Sequence, residues 1–220
     1  EEAVDLAQAV LEDLGMADRW MLDSVQRTES GDPQESGKYA FALSFMPVIG
    51  GIPVSPIPDP GVDWEEETYA PAYGMETLSF WIADGQLIRF TWDSPLDVLS
   101  TENQAVTELS FEQIMERFET QMSVTYPLSR FQAGGESIRI EEVEMRVTQI
   151  RRGLVRVAIQ DRPDASYLLP AWSFYGLTGY RTNRQDQVDF GTGNPGMEPQ
   201  ANHLLTLNAL DGTVIGERGY

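Results

Sequence analysis

The residues able to do acid–base, nucleophilic or metal chemistry are few in kind. His203 is the single histidine and cysteine is absent. That excludes a His-rich zinc site, a two-histidine facial triad, thiolate catalysis and disulfides. His203 stands directly before an apolar, strand-like segment, a position that favours a structural or solvent-facing role over general-base work. No nucleophile-elbow serine and no metalloprotease helix motif occurs. Gly191, Gly193 and Gly196 satisfy dinucleotide-binding spacing, but Pro195 lies inside it and no amphipathic helix follows. A glycine fingerprint without its βαβ unit reads as a loop.

Carboxylates are the abundant functional group, with 35 Asp and Glu in 220 residues. At that density some pair will be close, so proximity alone does not signal a glycosidase dyad. Glu141 and Glu142, adjacent in an apolar alternating segment, point to opposite faces of a regular strand unless a bulge intervenes. Asp59, Asp63, Glu65, Glu66 and Glu67 form the densest oxygen cluster, without the spacing of an EF-hand. No metal or cofactor is assigned to the chain. Trp64, Tyr69 and Tyr73 lie in the same Pro-rich stretch, from Pro47 to Gly74, with no helical or strand period. Loop aromatics of this kind are candidate binding residues for a protein, peptide or glycan. The competing reading folds them back over a sheet face. Pro53, Pro56, Pro58, Pro60 and Pro71 restrict the loop backbone and lower the entropy lost on binding, while the three glutamates would steer a basic partner.

Composition narrows the partners further. Fifteen basic residues leave a formal charge of −20, which repels nucleic-acid phosphates and anionic lipid headgroups. Lys38 is the one lysine, so the cations are nearly all Arg, suited to bidentate pairing with carboxylates. A hydrophobic fraction of 41% and an aromatic fraction of 10% are enough for a folded core. No apolar run is long enough to span a bilayer, and the absence of an initiator Met at Glu1 suggests a leader or lipid anchor upstream.

The elements that must position these residues recur in order. Val4, Leu6, Ala7, Val10, Leu11 and Leu14 have helical spacing and stop at Gly15. A second helix starts at Ser110, where Gln113 completes a capping box and Leu109 can staple onto Ile114. Its stripe is Phe111, Ile114, Met115, Phe118 and Met122. Strands are expected over 20–26, 39–45 and 138–150, and Arg151, Arg152 and Gly153 read as a turn into a further strand. Long irregular stretches follow at 47–74 and 175–202. Each half then closes with an Asp-Gly hairpin: 78–88 aligns with 205–215 without a gap. In the first of these, Phe80, Ile82, Ile88, Phe90 and Trp92 read as core. Helix, strands, loop and hairpin occur twice, which predicts an internal duplication with repeats at 1–99 and 100–220.

The stretch Leu168-Leu169-Pro170-Ala171-Trp172-Ser173-Phe174-Tyr175-Gly176, with Leu204 to Ile215, resembles PepSY-like modules, whose pattern is a "P-x-W" strand followed by an "x-Asn/Asp-Ala-x-x-Gly" hairpin. In style the chain is similar to uncharacterised clostridial lipoproteins and, more distantly, to YycH/YycI-type regulators of a wall-metabolism sensor kinase. The resemblance implies an α+β fold of duplicated helix plus antiparallel-sheet units, on the cell surface or anchored to the membrane of a Gram-positive bacterium. It brings no catalytic residues. The expected function is a non-catalytic interaction or sensing module with a protein, peptide or glycan partner at the cell envelope. The alternative is a carboxylate-dependent hydrolase of a wall or dietary polymer.

Overall fold

The computed structural model describes residues 1–29, 39–55, 75–101, 106–125, 139–159, 162–190 and 201–215. Its chain divides into two compact units. Unit 1 holds Glu1–Pro56, Val62–Gln104 and Leu154–Leu168, and unit 2 holds Ile57–Gly61, Ala105–Gly153 and Leu169–Tyr220.

Unit 1 opens with helix α1, Glu2–Asp13, followed by a 3-10 turn at Ala17–Arg19. The helix buries Ala3, Ala7 and Leu11, one residue every four, while Leu14 is exposed. Two alanines on the buried stripe let the helix lie close to the sheet. The sheet contains β1 (Trp20–Glu29), β2 (Tyr39–Ile49), β3 (Ile52–Pro53), β4 (Thr77–Ala83) and β5 (Gln86–Asp93). Strand order is β1-β2-β4-β5, all antiparallel, with β3 paired to the end of β2. The register aligns side chains in rows across the face that packs on α1: Leu22, Phe45, Leu78 and Trp92 in one, and Val25, Leu43, Phe80 and Phe90 in the next. Alternation along β4 is strict, with Leu78, Phe80 and Ile82 buried. Val54 forms a parallel bridge to Leu154. Thus 47–55, expected as the start of an irregular loop, is the end of β2, a turn at Gly50 and Gly51, and β3.

Unit 2 is built on helix α2, Phe111–Thr125. The capping box forms as its spacing requires: Gln113 N donates to Ser110 Oγ at 3.3 Å and Ser110 N to Gln113 Oε1 at 2.9 Å. Leu109 packs into the same cluster as Ile114, Phe118 and Met122. The sheet order is β6-β7-β8, from β6 (Ile140–Ile159), β7 (Arg162–Thr182) and β8 (Asn202–Asn208). Strands β6 and β7 each run through residues of both units. Phe174, Leu205 and Leu207 face α2, and Phe118 stacks on Phe174 at 4.1 Å between ring centres.

Two expectations are corrected here. Arg151, Arg152 and Gly153 do not turn; they lie inside β6. Arg152 makes a bidentate pair with Glu108 and the Arg151 guanidinium lies 5.5 Å from the Tyr175 ring centre, so tertiary partners hold the segment extended against its local turn chemistry. Residues 175–182 likewise continue β7 rather than opening a loop.

The larger correction is to the fold class. The protein is β-rich: strand accounts for 56% of the described residues and helix for 19%, in two helices and two antiparallel sheets. Duplicated helix-plus-sheet units do not describe it. Strands β6 and β7, of 20 and 21 residues, have no counterpart in the first sheet. Nor do the aligned hairpins turn alike. Asp84 and Gly85 both take positive φ, 51° and 69°, in a two-residue loop closed by the Ala83–Gln86 pair. In the other hairpin the chain crosses over four residues, between Asn208 and Thr213, and Asp211 instead accepts from Thr213 N through its side chain.

Candidate functional site

The candidate site in unit 1 is strand β5, which lies at the edge of the sheet and pairs with β4 alone among the described residues. The two apolar rows reach it at Phe90 and Trp92, and Leu87 continues a third from Ile82. On the inner strands Phe45, Leu78, Leu43, Phe80 and Ile82 of these rows are buried. At β5 the cover ends: Leu87 is 38% exposed, and Phe90 and Trp92 are 37% exposed each. The sequence reading that placed Phe90, Trp92 and Ile88 in the core is therefore corrected. Ile88 is the residue left over where the β4–β5 register shifts, and it is 65% exposed. Beside it on the neighbouring strand, Trp81 is also exposed.

These aromatics are exposed yet fixed. Phe90 meets Phe80 edge-on, with 5.1 Å between centres. Trp92 meets Trp20 edge-on at 6.2 Å, donates from Nε1 to Glu76 Oε1 at 2.9 Å, and lies 5.8 Å below the Arg19 guanidinium. Glu76 is itself buried, so the indole has a stationary acceptor. Two large rings held on one side and open on the other are preorganised for contact, because ring packing and the indole hydrogen bond already restrict the rotation that binding would otherwise freeze.

In unit 2 the sheet face away from α2 carries a buried hydroxyl chain. Ser173 Oγ and Thr206 Oγ1 are 2.9 Å apart, and His203 Nε2 is 2.7 Å from Thr206 Oγ1. His203 also touches the Tyr175 ring edge-on, and burial pushes its pKa below the ordinary histidine value. Thr206 is wholly buried, so no substrate reaches the hydroxyl beside the imidazole. The arrangement satisfies buried polar groups rather than activating a nucleophile. Spacing alone did not reveal it, because Ser173 belongs to a different strand.

Glu141 and Glu142, expected on opposite faces of a regular strand, are joined by one partner. Both reach Arg181, at 2.8 and 2.9 Å, and these hydrogen bonds raise the arginine pKa. The two acids share one guanidinium at the surface, which offsets half of their charge, and they are not gathered in a cleft. A depression of about 180 Å³ lined by Leu109, Gln113, Glu116, Arg117 and Thr120 contains one carboxylate. Among the described residues no group of three or more His, Cys, Asp or Glu is placed to hold a metal ion. Trp64, Tyr69 and Tyr73 lie outside the described residues, as do the acidic cluster from Asp59 to Glu67 and Gly191, Gly193 and Gly196.

No family model and no curated protein matches the chain. Among solved structures it is similar to an uncharacterized protein from Eubacterium rectale ATCC 33656, with a TM-score of 0.51 and 15% identity. The match covers 98% of this chain and 55% of that one, so the chain spans about half the length of its structural neighbour. The likeness is one of fold. No helix among the described residues is long and apolar enough to cross a membrane.

Proposed function

We propose that the chain is a non-catalytic interaction or sensing module of a bacterial cell-envelope lipoprotein, and that strand β5 is its contact surface. The observation that carries this reading is the pair Phe90 and Trp92, large rings fixed from behind by Phe80, Trp20 and Glu76 and left open at a sheet edge. Edge strands with exposed apolar side chains are normally blunted or covered, and one left open marks a place where another surface docks. The arrangement favours binding over the carboxylate-dependent hydrolase. The adjacent acids Glu141 and Glu142 are both tied to Arg181 by hydrogen bonds, and the hydroxyl beside the single histidine is sealed. The PepSY-like stretch at 168–176 and 204–215 supports an envelope location, and Trp64, Tyr69 and Tyr73 are a second candidate contact set.

A photo-crosslinking side chain at position 88, on intact cells, tests the reading. It should give a defined adduct, whereas the same group at Glu119, exposed on α2, should not. Equal labelling at both positions, or polymer hydrolysis by the purified chain, would overturn it. Replacing Trp64, Tyr69 and Tyr73 together by Ala should weaken capture of the same partner and leave the melting temperature unchanged. Unfolding of that variant would assign the three aromatics to the core.

A further inference from the structure

We infer that the surface on β5 is completed by a second copy of this chain, the two β5 strands pairing antiparallel about a two-fold axis at Thr91. The inference rests on reading β5 as a contact surface and names what it contacts. The regular part of β5 is short and bounded at both ends. The register shift leaves Ile88 unpaired on one side, and Ser94, with φ of 52°, ends the strand on the other. What lies between is Arg89-Phe90-Thr91-Trp92-Asp93, centred on Thr91.

That window is self-complementary. In an antiparallel pair centred on Thr91, Arg89 faces the partner's Asp93 and Phe90 faces the partner's Trp92, each twice by symmetry. Directly opposed side chains share a sheet face, so the aromatic pairs fall on the α1 side and the charged pairs on the other. Arg89 and Asp93 are both exposed, and neither forms an ion pair among the described residues of its own chain. Centring the pair on Arg89 or Asp93 instead would set like charges directly opposite each other. A chain of charge −20 repels its copy at long range, but at physiological salt the screening length is about 8 Å, which leaves short contacts to decide.

The test is sedimentation of the whole chain in about 0.15 M salt, comparing wild type with Arg89→Asp, Asp93→Arg and the double exchange. Wild type should be a concentration-dependent dimer. Each single reversal sets two like-charged pairs across the axis and should raise the dimer dissociation constant at least about tenfold. The double exchange should restore it. An equimolar mixture of the two single variants should form a heterodimer, since one then supplies two acids and the other two arginines. The single reversals shift net charge in opposite directions, so general repulsion would move them oppositely, whereas the paired register predicts loss in both. A wild-type chain that stays monomeric up to about 1 mM, or a dimer indifferent to the single reversals, overturns the proposal. If the crosslink at position 88 joins a different protein while the wild type is monomeric, the contact-surface reading stands and the second-copy assignment fails. If there is neither adduct nor dimer, both fail.

Discussion

Replacing Gly176 by Ala should be among the most damaging single-methyl changes in unit 2. Gly176 is buried in β7, opposite Asn202 of β8. A Cβ there would stand 2.9 Å from the carbonyl carbon of Arg146 and 2.9 Å from Leu204 Cδ1, with the Arg146 carbonyl oxygen nearer still. The Leu204 methyl could rotate away; the Arg146 carbonyl belongs to the backbone of β6 and could move only with its strand. Overpacking typically costs about 1–3 kcal/mol, and a backbone obstacle places this case near about 3 kcal/mol. For a chain of this length each kcal/mol shifts the melting temperature by roughly 2–4 °C, so a fall of about 6–12 °C is expected. Gly85→Ala is the control. It meets nothing within 4 Å but keeps a φ of 69°, so its cost is conformational, roughly 1–2 kcal/mol. Thermal unfolding followed by circular dichroism ranks the two. A Gly176→Ala variant that melts with the wild type, or no lower than Gly85→Ala, would refute the close approach of β6 and β7 at this point.

Three further outcomes follow from named contacts. Ser110→Ala removes the hydroxyl that accepts from Gln113 N and should lower stability by about 1 kcal/mol, measured by urea unfolding, while Ser110→Asp should retain most of it. Burial depresses the His203 pKa below its ordinary value of 6.5, so the unfolded chain binds that proton more readily than the folded one. Its contribution is therefore complete above pH 6.5 and is lost as the pH falls through the lower folded value. Between neutral and mildly acidic pH, His203→Gln should show a shallower fall in melting temperature than wild type, and parallel profiles would contradict the burial argument. EDTA should leave the melting temperature unchanged, since no described acid cluster is arranged for a metal; a large drop would point to a calcium site among the acids from Asp59 to Glu67.

Features legible in the sequence were those decided within a few residues. The capping box of Ser110 and Gln113 and the Asp84-Gly85 turn are local, because the donors and acceptors that satisfy them lie three or fewer residues apart. Helix α1 was also legible as an amphipathic period, although the buried stripe is Ala3, Ala7 and Leu11 rather than one ending at Leu14. Gly153 and its arginines looked like a turn because turn chemistry is read locally. Glu108, 44 residues from Arg152, outweighs it.

The candidate site shows the same division. Apolar alternation in 78–92 correctly indicated two strands joined by a tight turn and correctly identified Phe80 and Ile82 as core. It could not say that helical cover stops before β5, because an alternating pattern looks the same whether the last strand is covered or open. It also could not place Ile88, since a single-residue register shift leaves no compositional trace. Composition and local spacing determined, without any structure, that this chain has no cysteine or multi-histidine chemistry, carries a strong negative charge, and contains capped helices and tight-turned strands. Tertiary structure alone decided that β6 and β7 run long and make the fold β-rich, that Arg181 gathers Glu141 and Glu142, and that the apolar rows end in the open at Phe90 and Trp92. Each of those outcomes depends on which distant segment lies alongside, and only pairing and packing across the chain choose that neighbour.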